Sequence, residues 1–294
     1  MDPLLSALLR SWEWRADVIT VLAVACIVYV VGWKRIRSVR RGRSSHGAQT
    51  LAAGWRLATY LGGWLIVALA LLSPLEVLSG QLFFMHMIQH LLLVMCAPPL
   101  LLLSNPFPVL LWGMPRDIRR WVGSHFCKDA GFRRALVMLT RPGLTWICFV
   151  ILYVGWHDPA AYDAALRSDL IHNIEHLSFF IASLFYWWHV TVAGPRVHGR
   201  FPYGWRIAFL LLTVPVNMLT AMTITFSSQP IYRYYLDVPR PWGLTVMQDQ
   251  MLGGAIMWIP GSMMLLIAVL VIVARVLVRQ EGSAVKMSVA VGRP

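Results

Sequence analysis

The chain has 294 residues, of which 58% are hydrophobic and only 13% charged, with a mean hydropathy of +0.62. A soluble domain has no interior large enough for that share of apolar side chains, so the composition excludes one and indicates an all-α polytopic membrane protein. The net charge of +13 is read first as membrane topology, with no nucleic acid partner implied.

A membrane-crossing helix needs about 20 apolar residues. Residues 1–15 carry Arg10, Glu13 and Arg15 and lack a small-residue cleavage site after an apolar core, so no cleavable signal peptide is expected. The first span covers residues 17–33 and ends in Lys34, Arg35 and Arg37; the second covers 55–72 and stops at Ser73-Pro74. The third, 82–103, contains His86 and His90, with a kink or break predicted at Ala97-Pro98-Pro99. A basic loop follows, and the fourth span covers 144–156. The fifth, 170–190, carries His172 and His176, and the sixth, 205–226, contains Pro215. After a loop rich in Tyr and Trp, the seventh covers 244–273 and contains Asp249. The tail beyond Arg275 is expected to fray.

Seven spans place 21 of the 26 Lys and Arg on one face and 5 on the other. By the positive-inside rule the N-terminus is then outside and the C-terminus cytoplasmic. The resulting division is an outer segment at 1–16, a seven-helix domain at 17–275 and a basic cytoplasmic tail at 276–294. It predicts that His86, His90, His157, His172, His176 and Asp249 gather at one depth near the outer surface. His46, His125, His189 and His198 fall toward the cytoplasmic side, where solvated or interfacial roles suffice.

Imidazoles at i and i+4 share a helix face, and in hydrocarbon they are costly unless they face the interior and find partners. Neutral imidazoles suit copper, zinc, iron and nickel, while thioethers select copper(I). The 14 methionines favour copper over zinc. The expected metal ligands are His86, His90, His157, His172, His176 and Asp249, with Met222, Met251 and Glu175 as secondary candidates. Met218 and Met222 read more readily as gap fillers than as ligands, and only one of Met85 and Met87 can share the histidine face. Cys26, Cys96, Cys127 and Cys148 are widely spaced and read as small apolar fillers. The aromatic residues of the loop before the seventh span read as an interfacial belt, and His157-Asp158-Pro159 reads as a turn.

Two enzyme readings compete. His172-Asn173-Ile174-Glu175-His176 matches the H-x-x-E-H order of a class of zinc proteases. Paired histidines also suit haem, although two on one helix do not both ligate one iron. A copper transporter is a third option, but it requires a polar path through the inner half, where the sequence offers little beyond Cys96 and His189.

Three ordered blocks carry a family likeness. Met85-His86-Met87-Ile88-Gln89-His90 followed by Ala97-Pro98-Pro99 is the first. Trp156-His157-Asp158-Pro159 with Tyr162, Ala165-Leu166, His172, Glu175-His176 and Trp187-Trp188 is the second, and Asp249-Gln250, Gly253-Gly254 and Met257-Trp258 the third. Together they resemble the multi-span CtaG family of cytochrome c oxidase assembly factors, over roughly residues 50–275. The resemblance implies a role in maturing a haem-copper oxidase in the bacterial inner membrane, without turnover of its own and with no catalytic residue assigned. The implied partners are an oxidase subunit or another copper chaperone on the outer face, and the lipid bilayer.

Overall fold

A computed structural model describes residues 10–40, 51–126, 131–193, 195, 197–199 and 201–291. The described residues are 83% helical and contain no strand. Helix α1 is Ala16–Arg40, α2 Gly54–Leu72 and the short α3 Pro74–Ser79. The histidine helix α4 is Phe83–Leu91, continued by a π-helical segment at Leu92–Cys96 and by α5 at Ala97–Leu103. Then come α6 (Pro106–Gly113), α7 (Arg116–His125), α8 (Gly131–Leu139), α9 (Pro142–Trp156), α10 (Pro159–Arg167) and α11 (Asp169–Thr191). The chain closes with α12 (Tyr203–Leu211), α13 (Thr213–Thr225) and α14 (Val246–Val291).

Five helical stretches are long and apolar enough to cross a membrane: Ala16–Ser38, Gly54–Leu72, Phe83–Leu103, Tyr203–Thr225 and Val246–Glu281. The pair α8 and α9, bent by 58°, makes a sixth if it forms one span. Helix α11 has 23 residues, but His172, Asn173, Glu175 and His176 leave it less apolar than these. Its neighbours supply the shielding that its polar residues need.

The stretch Phe83–Leu103 is the centre of the bundle: 61% of its most apolar window is buried, against 33% or less for the other four. The break predicted at Pro98-Pro99 appears as a π turn just before them, in which Ala97 N donates to Leu92 O. Pro98 and Pro99 supply no N–H and press on the preceding carbonyls, so the helix takes one wider turn and continues. Near Pro215 the sixth stretch changes at Leu212 from α12 to α13. The last helix runs past Arg275 to Val291 instead of fraying there: residues 275–281 include no helix breaker, and Gly282 is the one weak helix former between them and the end of the helix.

Helices α1 and α6 touch through backbone. A Cβ on Gly32 would lie 1.9 Å from Val109 O, and one on Gly113 would lie 1.9 Å from Val28 O. Only glycine allows this approach, the small-residue contact by which helices pack in lipid.

Candidate metal centre

Three contacts set the position of the histidine helix. Its first residue follows Leu82, which supplies no capping side chain. Asp249 of α14 does so instead: its carboxylate accepts from Phe83 N and Phe84 N, both at 2.9 Å. A carboxylate on the free N–H groups of a helix start satisfies them and matches the helix dipole. Arg240 Nη1 donates to the same carboxylate at 3.2 Å, while its Nη2 donates to Tyr235 O at 2.7 Å. Gly253, one turn along α14, lies where a Cβ would sit 2.2 Å from the Phe83 ring, so α4 and α14 pack without an intervening side chain.

From this anchored helix His86 and His90 point toward α11. The His86 ring centroid is 5.2 Å from that of His172 and 5.9 Å from that of His176, and His90 lies 5.3 Å from His176. Glu175 enters between the two helices, its carboxylate 3.9 Å from His86 Nε2 and 3.6 Å from His90 Nε2. Two overlapping donor groups result, His86–His172–His176 and His86–His90–Glu175, each with its ligand atoms within 4.8 Å of one another. His86 and Glu175 are 0% exposed.

Eight polar atoms of these five residues are buried without a hydrogen-bond partner in the protein: His86 Nε2, both ring nitrogens of His90 and His176, His172 Nε2 and both Glu175 oxygens. Buried polar groups are normally paired, because an unpaired one costs several kcal/mol in apolar surroundings. One such atom from each residue of a donor group faces the others, and this arrangement suits a cation, which lone pairs on nitrogen and carboxylate oxygen satisfy together.

Proton counting fixes the orientation of His86. Tyr235 donates its hydroxyl proton to Ser79 O at 2.8 Å, and a carbonyl can only accept. Tyr162 Oη, 3.1 Å from Tyr235 Oη, is therefore the donor of that pair. Tyr162 then accepts from His86 Nδ1 at 2.6 Å, so Nδ1 carries the proton and the lone pair of Nε2 faces Glu175. Burial raises both phenol pKa values well above the ordinary tyrosine range, so the hydroxyls keep their protons. A hydrogen-bonded second nitrogen of this kind is what orients a metal-binding imidazole.

His172, with 15% of its side chain exposed, marks the open edge of the centre, and its Nδ1 is 3.7 Å from Glu76. Burial pushes the Glu76 carboxyl up to about 7, while a hydrogen bond from Gln89 opposes the shift. Beside His176 a cavity of about 300 Å³ carries Arg15 and Asn173 at its polar edge. There Arg15 Nη1 donates to Asn173 Oδ1 at 2.7 Å.

His86, His90, His172 and His176 come together as the spacing predicted, and Glu175 joins them directly. The helical wheel puts Glu175 about 100° from His176, but its side chain reaches across to α4. His157 stands apart, its ring 6.4 Å from that of His90, and belongs to neither donor group. Asp249 also lies outside both groups, its oxygens taken by Phe83, Phe84 and Arg240. Met251 is 48% exposed, and Met222 is half-buried on α13. Asp158 caps α10 through Ala160 N and Ala161 N, as a turn residue does. Of the expected aromatic belt, Trp242 is exposed, but Tyr232 and Tyr235 are buried beside the histidines. Gln250, which accepts from Ile231 N at 2.7 Å, pins their loop inward. Cys26, Cys96 and Cys148 are free thiols outside the donor groups; Cys127 and His46 lie outside the described residues.

Sequence reasoning missed Glu76, Tyr162 and Tyr235 as neighbours of the histidines. The sequence set Glu76 in the outer loop after the second span, near the expected depth of the histidines, but did not link it to them. Nothing in the spacing of Tyr235 links it to His86.

The whole histidine region falls inside a family match. The chain matches the Cytochrome c oxidase caa3 assembly factor (Caa3_CtaG) family over residues 27–279. It belongs to that family. Uncharacterised proteins of Mycobacterium bovis and Mycobacterium tuberculosis are each 28% identical to it over 288 residues, covering 93% of this chain and 40% of theirs. An uncharacterised protein of Mycobacterium leprae is 26% identical over 296 residues, covering 92% of this chain and 41% of its own. The chain thus spans about two-fifths of the length of these relatives. No solved structure matches it.

Proposed function

We propose that this chain is a multi-pass membrane protein that binds copper at one end of its bundle and supplies it to a maturing cytochrome c oxidase. The convergence of His86, His90, His172, His176 and Glu175 from α4 and α11, each with a buried nitrogen or oxygen unpaired in the protein, carries this reading. In it α11 and the bent α8–α9 pair complete seven spans. Residues 1–16 and the centre face outward, 17–275 form the membrane domain, and the basic tail 276–294 is cytoplasmic in a bacterial inner membrane. Copper then enters and leaves through the Glu76–His172 edge without crossing the bilayer. The recipient is an oxidase subunit or a second copper chaperone on that side.

A role without turnover suits the buried geometry. Glu175 is 0% exposed and sits between two imidazoles, where a peptide has no approach to it as a general base. Zinc is the competing metal, since imidazole and carboxylate suit it as well. Membership of an oxidase assembly family favours copper.

Metal analysis of protein purified without added metal tests the reading, with His86→Ala and His172→Ala beside the parent. Copper in the parent and a lower copper content in both variants is expected. Undiminished copper in both would sink the site, and stoichiometric zinc would replace the metal.

A further inference from the structure

One turn beyond His86, α4, the π segment, α9, α11 and α14 leave a cavity of about 30 Å³ between them. His90 and His157 line it together with Met87, Met95 and Met257. Its other polar neighbours are already committed. Tyr153 donates to Asn217 Oδ1 at 2.6 Å, and Asn217 Nδ2 donates to Met257 O and Ser262 Oγ, each at 3.0 Å.

The imidazoles are not committed in the same way. His157 Nδ1 is 2.6 Å from Tyr153 O. A carbonyl only accepts, so Nδ1 holds the proton and Nε2 keeps its lone pair. His90 is 6% exposed and has no hydrogen bond at either ring nitrogen. What remains is two imidazoles and three thioethers, with no carboxylate lining the cavity. Such a set prefers copper(I) to zinc or copper(II). A space of about 30 Å³ accommodates one ion or one water.

We propose that this cavity is a second metal subsite, which takes a soft monovalent cation, copper(I), through His90, His157 and the thioethers of Met87, Met95 and Met257. It deepens the copper reading of the neighbouring centre and shares one residue with it. A neutral imidazole has a single lone pair, so His90 serves Glu175's group or His157's at one time. The His86–His172–His176 group needs no His90, so one ion there and one in the subsite coexist.

The test loads the full chain, purified in detergent and labelled with selenomethionine, with copper(I) under anaerobic conditions. Copper is counted and its neighbours are read by X-ray absorption. Two copper per chain and copper–selenium scattering are expected, a signal no cysteine produces. The volume-conserving pair Met95→Leu and Met257→Leu should remove one copper and weaken the selenium signal. His172→Ala should remove the other copper and leave that signal. Scattering from nitrogen and oxygen alone in the labelled parent overturns the subsite and leaves a single bridging water as the occupant. A selenium signal unchanged in the Met95→Leu, Met257→Leu protein also overturns it. Selenium scattering that persists while His172→Ala loses no copper would instead count against the outer centre.

Discussion

Histidines are buried at both ends of this bundle, and they are treated differently. At the basic end, His189 donates from Nε2 to Thr140 O at 2.9 Å. His198 lies 2.7 Å from Thr140 Oγ1, which spends its own proton on Leu136 O and so accepts from the ring. These two rings clasp the α8–α9 turn to the end of α11, and each bonds a fixed acceptor. At the other end, His86, His90, His172 and His176 crowd one carboxylate and leave lone pairs without protein partners. His189 is as buried as His90 and His176, so residue type and burial do not by themselves identify a site. The unspent lone pairs do.

The sharpest way to break this contrast is to remove one donor from each set. His86→Ala should abolish copper binding at the four-histidine centre, a fall in affinity of more than about 100-fold there, since even outer-shell losses cost 10–100-fold; metal analysis would read the loss. Asp249→Ala attacks the anchor instead of the ligands. It leaves Arg240 without its carboxylate partner and two N–H groups unpaired, and should lower stability by about 3–5 kcal/mol, read as thermal unfolding in detergent. Copper binding that survives in the folded fraction would confirm that Asp249 positions and does not ligate.

Tyr162→Phe should weaken copper affinity about 10–100-fold and lower stability by about 1–3 kcal/mol for stranding the His86 Nδ1 proton. It removes the acceptor that keeps the proton on His86 Nδ1. Nitrogen NMR of the metal-free protein would check the cause by showing Nδ1 protonated in the parent and a mixture in the variant. His189→Leu should do the least: a loss of about 1–3 kcal/mol for stranding Thr140 O, with copper content unchanged. A drop in copper there would erase the distinction between the two ends.

Much of the centre was legible without coordinates, because it rests on local periodicity. The i, i+4 spacing of His86 with His90 and of His172 with His176 put each pair on one face, and the charge count put both pairs at one depth. Asp249 was expected among the ligands, but its oxygens cap α4 and pair with Arg240. Its task depends on where the start of α4 meets α14, which the Gly253 contact governs and no single-helix pattern reveals. Tyr235 was hidden for the same reason. A loop tyrosine looks like a membrane-interface residue until Gln250 and Arg240 fold its segment inward. The number of apolar stretches was equally blurred at α11, where the residues that build the site dilute its hydropathy.

The π turn at Leu92–Cys96 sets the phase of the central helix. An added residue in an α-helix rotates everything beyond it by about 100°. The faces of α4 and α5 are therefore out of step with each other, as two cams on one shaft are. One side of the helix is aimed at α11 through His86 and His90. Beyond the turn, Leu101 is aimed at Gly63 of α2, where a Cβ would come within 2.7 Å of its side chain. Deleting a single residue from Leu92–Cys96 would restore regular hydrogen bonding and misalign these two faces, so that seating Leu101 on α2 would swing the imidazoles away from Glu175.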